Sequence, residues 1–435
     1  MQEFYVIHSF RKPIHLVIIL SLLWLASCMN SSPAQPPTSD PVKLTQAFEN
    51  ALLTAQAAFP TSTISPTFTP IPPTPTFSPT PTLTRTAGPP PTLPPKFTSS
   101  LLKPGVVPQT YISNTCEYLK NRWDPAKSAP GTVVMPIMYH SITDDYKEIK
   151  EDTQIRHSEL FKTLKHAKDV GFETITTEQL VGFLEHNNKI PQRSLLLILD
   201  DRRPGVIKEH FMKYLEEYNW TLTLGWLIGD TDTRPATNLA GENFKTLWEQ
   251  IEAYYATGRL DVQAHGYIHN INITEVSTLE FIRHEIVDSR TVLQEHFYCK
   301  DPISKQVKKD CSTTQPLAYI WPGGSFTKKA AEVARSAGYK VGFTINPRGP
   351  VMYNWVPLAE KRDPNSPSWI PEVPVGDPLM VLPRYWSNDA AYRIDDVINI
   401  SKQAIADAQK NRANELAYYD VICEPLIGKI PGLNP

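Results

Sequence analysis

The sequence predicts an α/β fold built around a parallel sheet or barrel. Short apolar segments alternate with amphipathic helical segments from residue 130 to residue 257, and this alternation is typical of βα units. Residues 195–199 are apolar without interruption, as expected of a strand buried on both faces. Asp200 and Asp201 follow that strand directly, where functional groups of such folds usually lie. The alternative for two such acids is a helix N-cap and its first turn.

The predicted elements follow one another closely. Gly171 is a suitable C-cap for the first helix, and a threonine caps the second. In chain order they are a β-rich run at 130–142, a helix at 161–171, a strand at 172–175, a helix at 177–186, the central strand at 195–199, a helix at 206–218, a strand at 221–228 and a helix at 243–257.

The composition divides the chain into three parts. It has 435 residues and 41 prolines, and proline and threonine dominate residues 60–95, a composition that cannot bury enough apolar surface to fold. We therefore expect a signal peptide at 1–28, a tether at 29–109 and a folded domain at 110–435. The tether would combine a short amphipathic helix with a disordered Pro/Thr-rich linker. A net charge of -2 gives no general reason to expect nucleic acid as a partner.

The first 28 residues have the features of a secretion signal. Basic residues precede an apolar run at 16–25, and the sequence LASC ends at Cys28, a pattern that resembles the lipobox of lipoproteins. An ordinary signal peptide or a retained membrane helix are the alternatives, although the run is short for a span of about 20 residues. The prediction is a secreted protein, anchored by a lipid on Cys28 to the outer face of the bacterial cytoplasmic membrane or cell envelope.

Export permits disulfide bonds, and four cysteines remain beyond the signal. Three pairings are possible. A Cys299–Cys311 bond would close a short polar loop, and a Cys116–Cys423 bond would join the start of the domain to its end, so we favour this pair. Zinc binding by cysteines is the alternative, but no two of them have the spacing of a zinc knuckle.

His265 and His269 are four residues apart, a spacing at which two imidazoles can meet one metal ion. Paired histidines on a solvated surface are commoner than a metal site, but Asp201 adds a carboxylate ligand. One carboxylate and two imidazoles leave coordination positions open for water and substrate, which is typical of a catalytic metal site.

These residues lie in motifs that resemble the polysaccharide deacetylases with the NodB homology domain, carbohydrate esterase family 4. The family's strand ending TFDDG corresponds here to LLLILDDRRPG, its HSxxH or HTxxH motif to HGYIH, and its PxG motif to WPGG at 321–324. The order and spacing of the three motifs agree. The resemblance covers roughly residues 135–389 and implies a distorted (β/α) barrel.

The resemblance also implies a role for each matching residue. Asp201, His265 and His269 would hold a divalent metal, usually zinc, and Asp200 would be the general base. Water would attack the N-acetyl group of an acetylated polysaccharide. The segment Trp321-Pro322-Gly323-Gly324 would bind substrate, with Trp321 stacking on a sugar ring.

Three positions depart from the family's pattern. Arg202 stands where glycine follows the two acids, Trp321 stands where an arginine that orients the base precedes the proline, and no histidine follows His296 to supply a C-terminal general acid. Arg384, in an LPR segment, is a candidate to replace that arginine. His140, at the end of the first strand, is a candidate general acid, and its alternative is a hydrogen-bonded core histidine.

Two classes of function fit these features. The Asp-His-His set with its neighbouring acid favours a metal-dependent deacetylase. Arg202 and the missing acid motif favour a module of the same fold that binds glycan without turnover. An O-acetyl esterase would use the same site and differ only in its leaving group.

Overall fold

The computed structural model describes residues 91–268, 271–301, 305–359 and 376–433. The predicted signal peptide with Cys28, the predicted helix of the tether and nearly all of the Pro/Thr-rich linker lie outside the described residues. The predicted metal ligand His269 also lies outside them. Within the described ranges, no helix is both long enough and apolar enough to cross a bilayer.

The strands and helices alternate along most of the domain. The strands are β1 (Val106–Gln109), β2 (Val133–Tyr139), β3 (Ser141–Thr143), β4 (Gln154–Arg156), β5 (Glu173–Thr174), β6 (Arg193–Asp200), β7 (Leu222–Trp226), β8 (Leu260–Ala264), β9 (Ala318–Ile320), β10 (Val341–Phe343), β11 (Val356–Ala359) and β12 (Tyr385–Trp386). The helices are α1 (Thr115–Trp123), α2 (His157–Asp169), α3 (Thr177–His186), α4 (204–218), α5 (Leu247–Tyr255), α6 (279–298), α7 (Lys328–Ala337) and α8 (387–427).

One curled sheet of parallel strands forms the centre of the domain. Its order is β10-β9-β8-β7-β6-β2-β12, and β5 also pairs with β6. The segment 382–386 bridges the two edges, because Leu382 pairs with Phe343 of β10 while Tyr385 of β12 pairs with Ile137 of β2. The sheet with its helices is therefore the distorted (β/α) barrel that the sequence predicts.

The central strand is β6, whose residues 194–200 are all buried. It pairs in parallel with β2 on one side and with β7 on the other. Helix α8 covers part of the outer face with residues spaced three or four apart, among them Ala390, Ile394 and Val397. Side chains at that spacing share one face of a helix. Asp200 thus lies at the carboxyl end of a strand that is buried from residue 194 onward.

Local sequence accounts for the bounds of α3, which match the prediction at 177–186. The Thr176 side chain accepts a hydrogen bond from the backbone N–H of Gln179, and Asn187 ends the helix in the left-handed conformation. Both features are standard helix-terminus chemistry.

The folded domain begins earlier than the predicted boundary at residue 110. β1 pairs with β11 in antiparallel register, and the indole N–H of Trp355 donates to the carbonyl oxygen of Phe97. The boundary was misplaced because the partner of β1 lies far along the chain, where no local pattern reveals it.

The structure confirms both predicted disulfide bonds. Cys116 in α1 is bonded to Cys423 near the end of α8, and Cys299 is bonded to Cys311. Around the first bond, Leu119, Tyr419 and Ile430 form a small buried cluster, so the bond joins the two ends of the described domain within apolar surroundings.

We expect loss of the Cys116–Cys423 bond to destabilise the domain more than loss of the Cys299–Cys311 bond. The first joins residues 307 apart in sequence and the second joins residues 12 apart, and a longer closed loop restricts the unfolded chain more. The paired serine variant of the first should lose about 2–5 kcal/mol of unfolding free energy, measured by urea titration beside the paired serine variant of the second. Equal losses would contradict this ranking.

Candidate active site

Three parallel strands carry predicted site residues to one end of the barrel. His140 follows β2, Asp200 and Asp201 lie at the end of β6, and His265 follows β8. Nε2 of His140 lies 3.6 Å from Oδ2 of Asp200, and Nε2 of His265 lies 3.6 Å from Oδ1 of Asp201. The same nitrogen of His265 lies 4.0 Å from Oδ2 of Asp200. The four side chains therefore form one cluster at the carboxyl ends of the sheet.

Asp200 is paired with Arg384 inside the protein. Nη1 of Arg384 donates to both carboxylate oxygens of Asp200, at 2.8 and 2.9 Å, and its Nε donates to the carbonyl oxygen of Thr344 at 2.7 Å. The Arg384 side chain is 0% exposed and that of Asp200 is 2% exposed. Arg384 thus contacts the predicted base Asp200, as expected of a substitute for the family's base-orienting arginine.

The surroundings of Asp200 and His140, which face each other in the site, set the charge of both side chains. Burial alone would raise the pKa of Asp200, but the positive charge of Arg384 and the nearby imidazoles hold that pKa below its usual value. Burial lowers the pKa of His140, against the opposing effect of Asp200 and Asp201. Asp200 is therefore ionised and His140 neutral near neutral pH.

His265 has the tautomer that a metal ligand needs. Its Nδ1 lies 2.9 Å from the carbonyl oxygen of Ile320, and a carbonyl only accepts, so Nδ1 carries the proton. In the neutral ring Nε2 then keeps its lone pair and faces the two acids, and a backbone carbonyl is a common partner for the second nitrogen of a ligating histidine. The separation of 3.6 Å between this nitrogen and Oδ1 of Asp201 suits two ligands at about 2.0–2.2 Å from one ion.

His265 and Asp201 therefore fit a divalent metal in chemistry and spacing. In the part of the chain that the structure describes, no group of three or more His, Cys, Asp or Glu side chains is arranged to hold a metal ion. The third predicted ligand, His269, is not among those residues; it follows His265 by four positions in the sequence.

The two arginines after the acids point in different directions. Arg202 forms an ion pair with Asp230 and so turns away from Asp200. Arg203 donates from Nη2 to Oδ2 of Asp201 at 3.0 Å and from Nη1 to Oγ of Ser141 at 2.7 Å. The departure from the family's glycine therefore leaves Asp200 with Arg384 and places a guanidinium beside Asp201.

The prediction that Trp321 stacks on a sugar ring is wrong. Its side chain is 0% exposed, and its indole N–H donates to the carbonyl oxygen of Met380 at 2.7 Å. Pro322 and Gly324 are also buried, whereas Gly323 is exposed with φ of 59°. Trp321 is therefore a core side chain, and Gly323 is the exposed residue of the segment 321–324.

Gly225 was missed at the level of sequence. It lies opposite Asp200 in the pairing of β7 with β6, and a Cβ there would lie 2.9 Å from Cδ1 of Ile320 and 3.2 Å from Oδ1 of Asp200. The available signal was a glycine inside an apolar strand, which indicates close approach of another group.

Glu285 was missed as well, and no sequence signal marks it. It is 0% exposed and accepts hydrogen bonds from the backbone N–H groups of Tyr267 and Ile268, at 2.8 and 3.0 Å. Burial raises its pKa, against the effect of those two bonds. Glu285 therefore fixes the turn that follows His265.

A family model matches part of the chain. The family model described as Polysaccharide deacetylase matches residues 187–342. No curated protein shows significant similarity to the chain.

Several solved structures resemble the fold. The deacetylase PplD of Streptococcus pyogenes in complex with acetate has 16% identity and a TM-score of 0.44, over 61% of this chain and 97% of that chain. A de-N-acetylase from Aggregatibacter actinomycetemcomitans has 15% identity and a TM-score of 0.42, over 58% and 94%. IcaB from Ammonifex degensii has 16% identity and a TM-score of 0.41, over 63% and 97%.

The segment matched by the family model contains the two acids at the end of β6 and the histidine after β8. Those are the residues that carry the motifs in the sequence and that the barrel brings together. Residues 187–342 therefore belong to a domain of the polysaccharide deacetylase family, of the NodB type, a family of hydrolases that act on carbon–nitrogen bonds.

Proposed function

We propose that the domain is a metal-dependent enzyme that removes N-acetyl groups from a polysaccharide of the cell envelope or the extracellular space. One observation carries the proposal: the Asp200 carboxylate is buried, held by Arg384 and adjacent to Asp201 and to Nε2 of His265. An ionised carboxylate beside an imidazole nitrogen that keeps its lone pair, at the carboxyl ends of a parallel sheet, is typical of a catalytic site.

Asp201, His265 and His269 are the ligands that we propose for the metal, with zinc as the ion suited to carboxylate and imidazole ligands. A bound metal supplies Lewis-acid activation of a water molecule and of the acetyl carbonyl group. Asp200 is oriented by Arg384 and accepts the proton of the attacking water.

His140 is the residue that we propose for delivering a proton to the leaving nitrogen. Its neutral imidazole can take up a proton and pass it on, and its Nε2 faces Asp200 at 3.6 Å. The carbon–nitrogen bond of the acetamide breaks, acetate leaves, and a free amine remains on the sugar. Gly323 is exposed after β9, but a Cβ there would collide with Oδ1 of Asn272, so its missing side chain makes room for Asn272.

We also propose that the protein is exported and held at the outer face of the membrane through a lipid on Cys28. The sequence LASC at 25–28 supports the anchor. The two disulfide bonds support an oxidising compartment outside the cytoplasm. The Pro/Thr-rich linker would then let the catalytic domain reach polymer on the order of 100 Å away, at about 3.1 Å per residue.

Acetate release tests the proposed function directly. We expect the purified protein with zinc to release acetate from N-acetylglucosamine oligomers, and Asp201→Ala to lose both bound zinc and acetate release because the carboxylate ligand is gone. Asp230→Ala is the matched control, since Asp230 is exposed and pairs with Arg202 and Arg234 outside the site. Zinc content by elemental analysis and acetate by an enzyme-coupled assay are the two measurements.

A substrate panel distinguishes the alternatives. Peptidoglycan, chitin oligomers and poly-N-acetylglucosamine carry N-acetyl groups, whereas acetylxylan carries O-acetyl groups. Release from acetylxylan alone would identify an O-acetyl esterase. Zinc and glycan binding without acetate release from any polymer would overturn the enzyme proposal in favour of a binding module.

A further inference from the structure

Arg203 joins two walls of the site. Its Nη2 donates to Oδ2 of Asp201 at 3.0 Å, and its Nη1 donates to Oγ of Ser141 at 2.7 Å. Ser141 begins β3 directly after His140, whereas Asp201 follows β6. The planar guanidinium presents its donors in a fixed fork, so it holds the Asp201 side chain at a defined distance from the opposite wall.

Asp201 depends on such a contact for its orientation. Its φ is 70°, a left-handed conformation that most residues with a Cβ rarely adopt and that aspartate adopts more often. The backbone turn alone leaves the carboxylate free to rotate about its side-chain bonds. Arg203 engages Oδ2, and the other oxygen, Oδ1, is the one that faces Nε2 of His265 at 3.6 Å.

We infer that Arg203 is a positioning residue that holds Asp201 so that a single carboxylate oxygen, Oδ1, is presented to the metal. The inference rests on the proposed function, because it assumes that Asp201 is a metal ligand. The inference assigns a role to Arg203, one of the two arginines that follow the acids where the family has a glycine.

Arg203 has two opposing effects on metal affinity. Its positive charge repels a cation, and its hydrogen bonds fix the ligand in the binding orientation. The Arg203 side chain is 31% exposed, so water screens its charge, whereas the two hydrogen bonds act at short range. Hydrogen-bond partners of metal ligands commonly contribute about 10–100-fold in metal affinity. Orientation therefore outweighs repulsion.

Arg202 provides a matched comparison within the same turn. It carries the same charge one residue away, but its guanidinium pairs with Asp230 and its Nη1 lies 3.5 Å from the carbonyl oxygen of Ile228. Neither contact involves Asp201. A change at Arg202 removes a positive charge from the turn without releasing the carboxylate.

The experiment compares zinc affinity in the full-length protein by competition with a chelating dye. Arg203→Gln should raise the zinc dissociation constant about 10–100-fold, Ser141→Ala should raise it by a smaller factor because Arg203 keeps its bond to Asp201, and Arg202→Gln should leave it unchanged. Arg203→Lys should restore part of the affinity, because an ammonium group can still donate to Oδ2.

Two further readouts separate positioning from a general structural role. The urea midpoint of the metal-free protein should be nearly the same for Arg203→Gln and wild type. The visible spectrum of the cobalt-loaded protein should change in Arg203→Gln, because a released carboxylate can bind through both oxygens.

The outcomes distinguish this inference from the proposed function. Unchanged or tighter zinc binding by Arg203→Gln, with zinc still bound by the wild type, would overturn the inference alone. A wild-type protein that binds no zinc and releases no acetate would overturn the proposed function and the inference together.

Discussion

Replacing Asp200 by asparagine is expected to lower kcat for acetate release by about 10²–10⁴-fold, the usual contribution of a general base. An amide cannot accept the proton of the attacking water, whereas its size and shape match the carboxylate. Asp200 is not one of the proposed ligands, so the variant should keep its zinc. Zinc content and acetate release from N-acetylglucosamine oligomers measure the two effects on the same preparation.

Asp230→Asn is the matched control for this change. It is the same substitution at an aspartate whose side chain is 55% exposed and pairs with Arg202 and Arg234, so acetate release should stay near the wild-type rate. If Asp200→Asn kept most of the activity, the proton would have to leave through another group and the role given to Asp200 would be wrong.

Replacing Arg384 by methionine is expected to have the largest effect on stability. The change leaves the Asp200 carboxylate, 2% exposed, without its cation, and it removes the hydrogen bond to the carbonyl oxygen of Thr344. Breaking one side of a buried ion pair costs about 3–5 kcal/mol. Urea unfolding of the metal-free protein measures this, because stripping the metal removes the added stability of bound ligand.

A double variant identifies the source of that loss. Asp200→Asn combined with Arg384→Met should be more stable than Arg384→Met alone, since the buried charge is gone and the two changes do not add. Arg234→Met is the control, because the pair of Arg234 with Asp230 is exposed on both sides, at 46% and 55%, and such pairs contribute about 0–1 kcal/mol. An Arg384→Met protein as stable as the wild type would show that Asp200 does not depend on this pair.

The sequence predicted the parts of the site that local patterns encode. The buried strand ending in Asp200 and Asp201 is local, and so is the histidine that follows β8. The apolar run and the motif spacing each specify a place at the carboxyl end of a parallel strand. The disulfide bonds were predictable because few cysteines remain once Cys28 is assigned to the signal.

The parts that were missed depend on distant partners. Trp321 is an aromatic residue in a site motif, and only its burial and its hydrogen bond to the carbonyl oxygen of Met380 show that it belongs to the core. The start of the domain was misplaced because β1 pairs with β11, about 250 residues later in the sequence. The orientation of Arg202 and Arg203 follows from Asp230 and Ser141, which no spacing rule connects to the two acids.

The bridging of the sheet edges by residues 382–386 also sets the order in which the protein can become competent. Asp200 leaves the ribosome 184 residues before Arg384, and chains emerge N-terminus first. Until the bridging segment is present, the carboxylate has neither its cation nor the closed edge that buries it. A nascent or truncated chain that ends before residue 382 therefore has an unassembled active site, and hydrolysis has to wait until the bridging segment has been made.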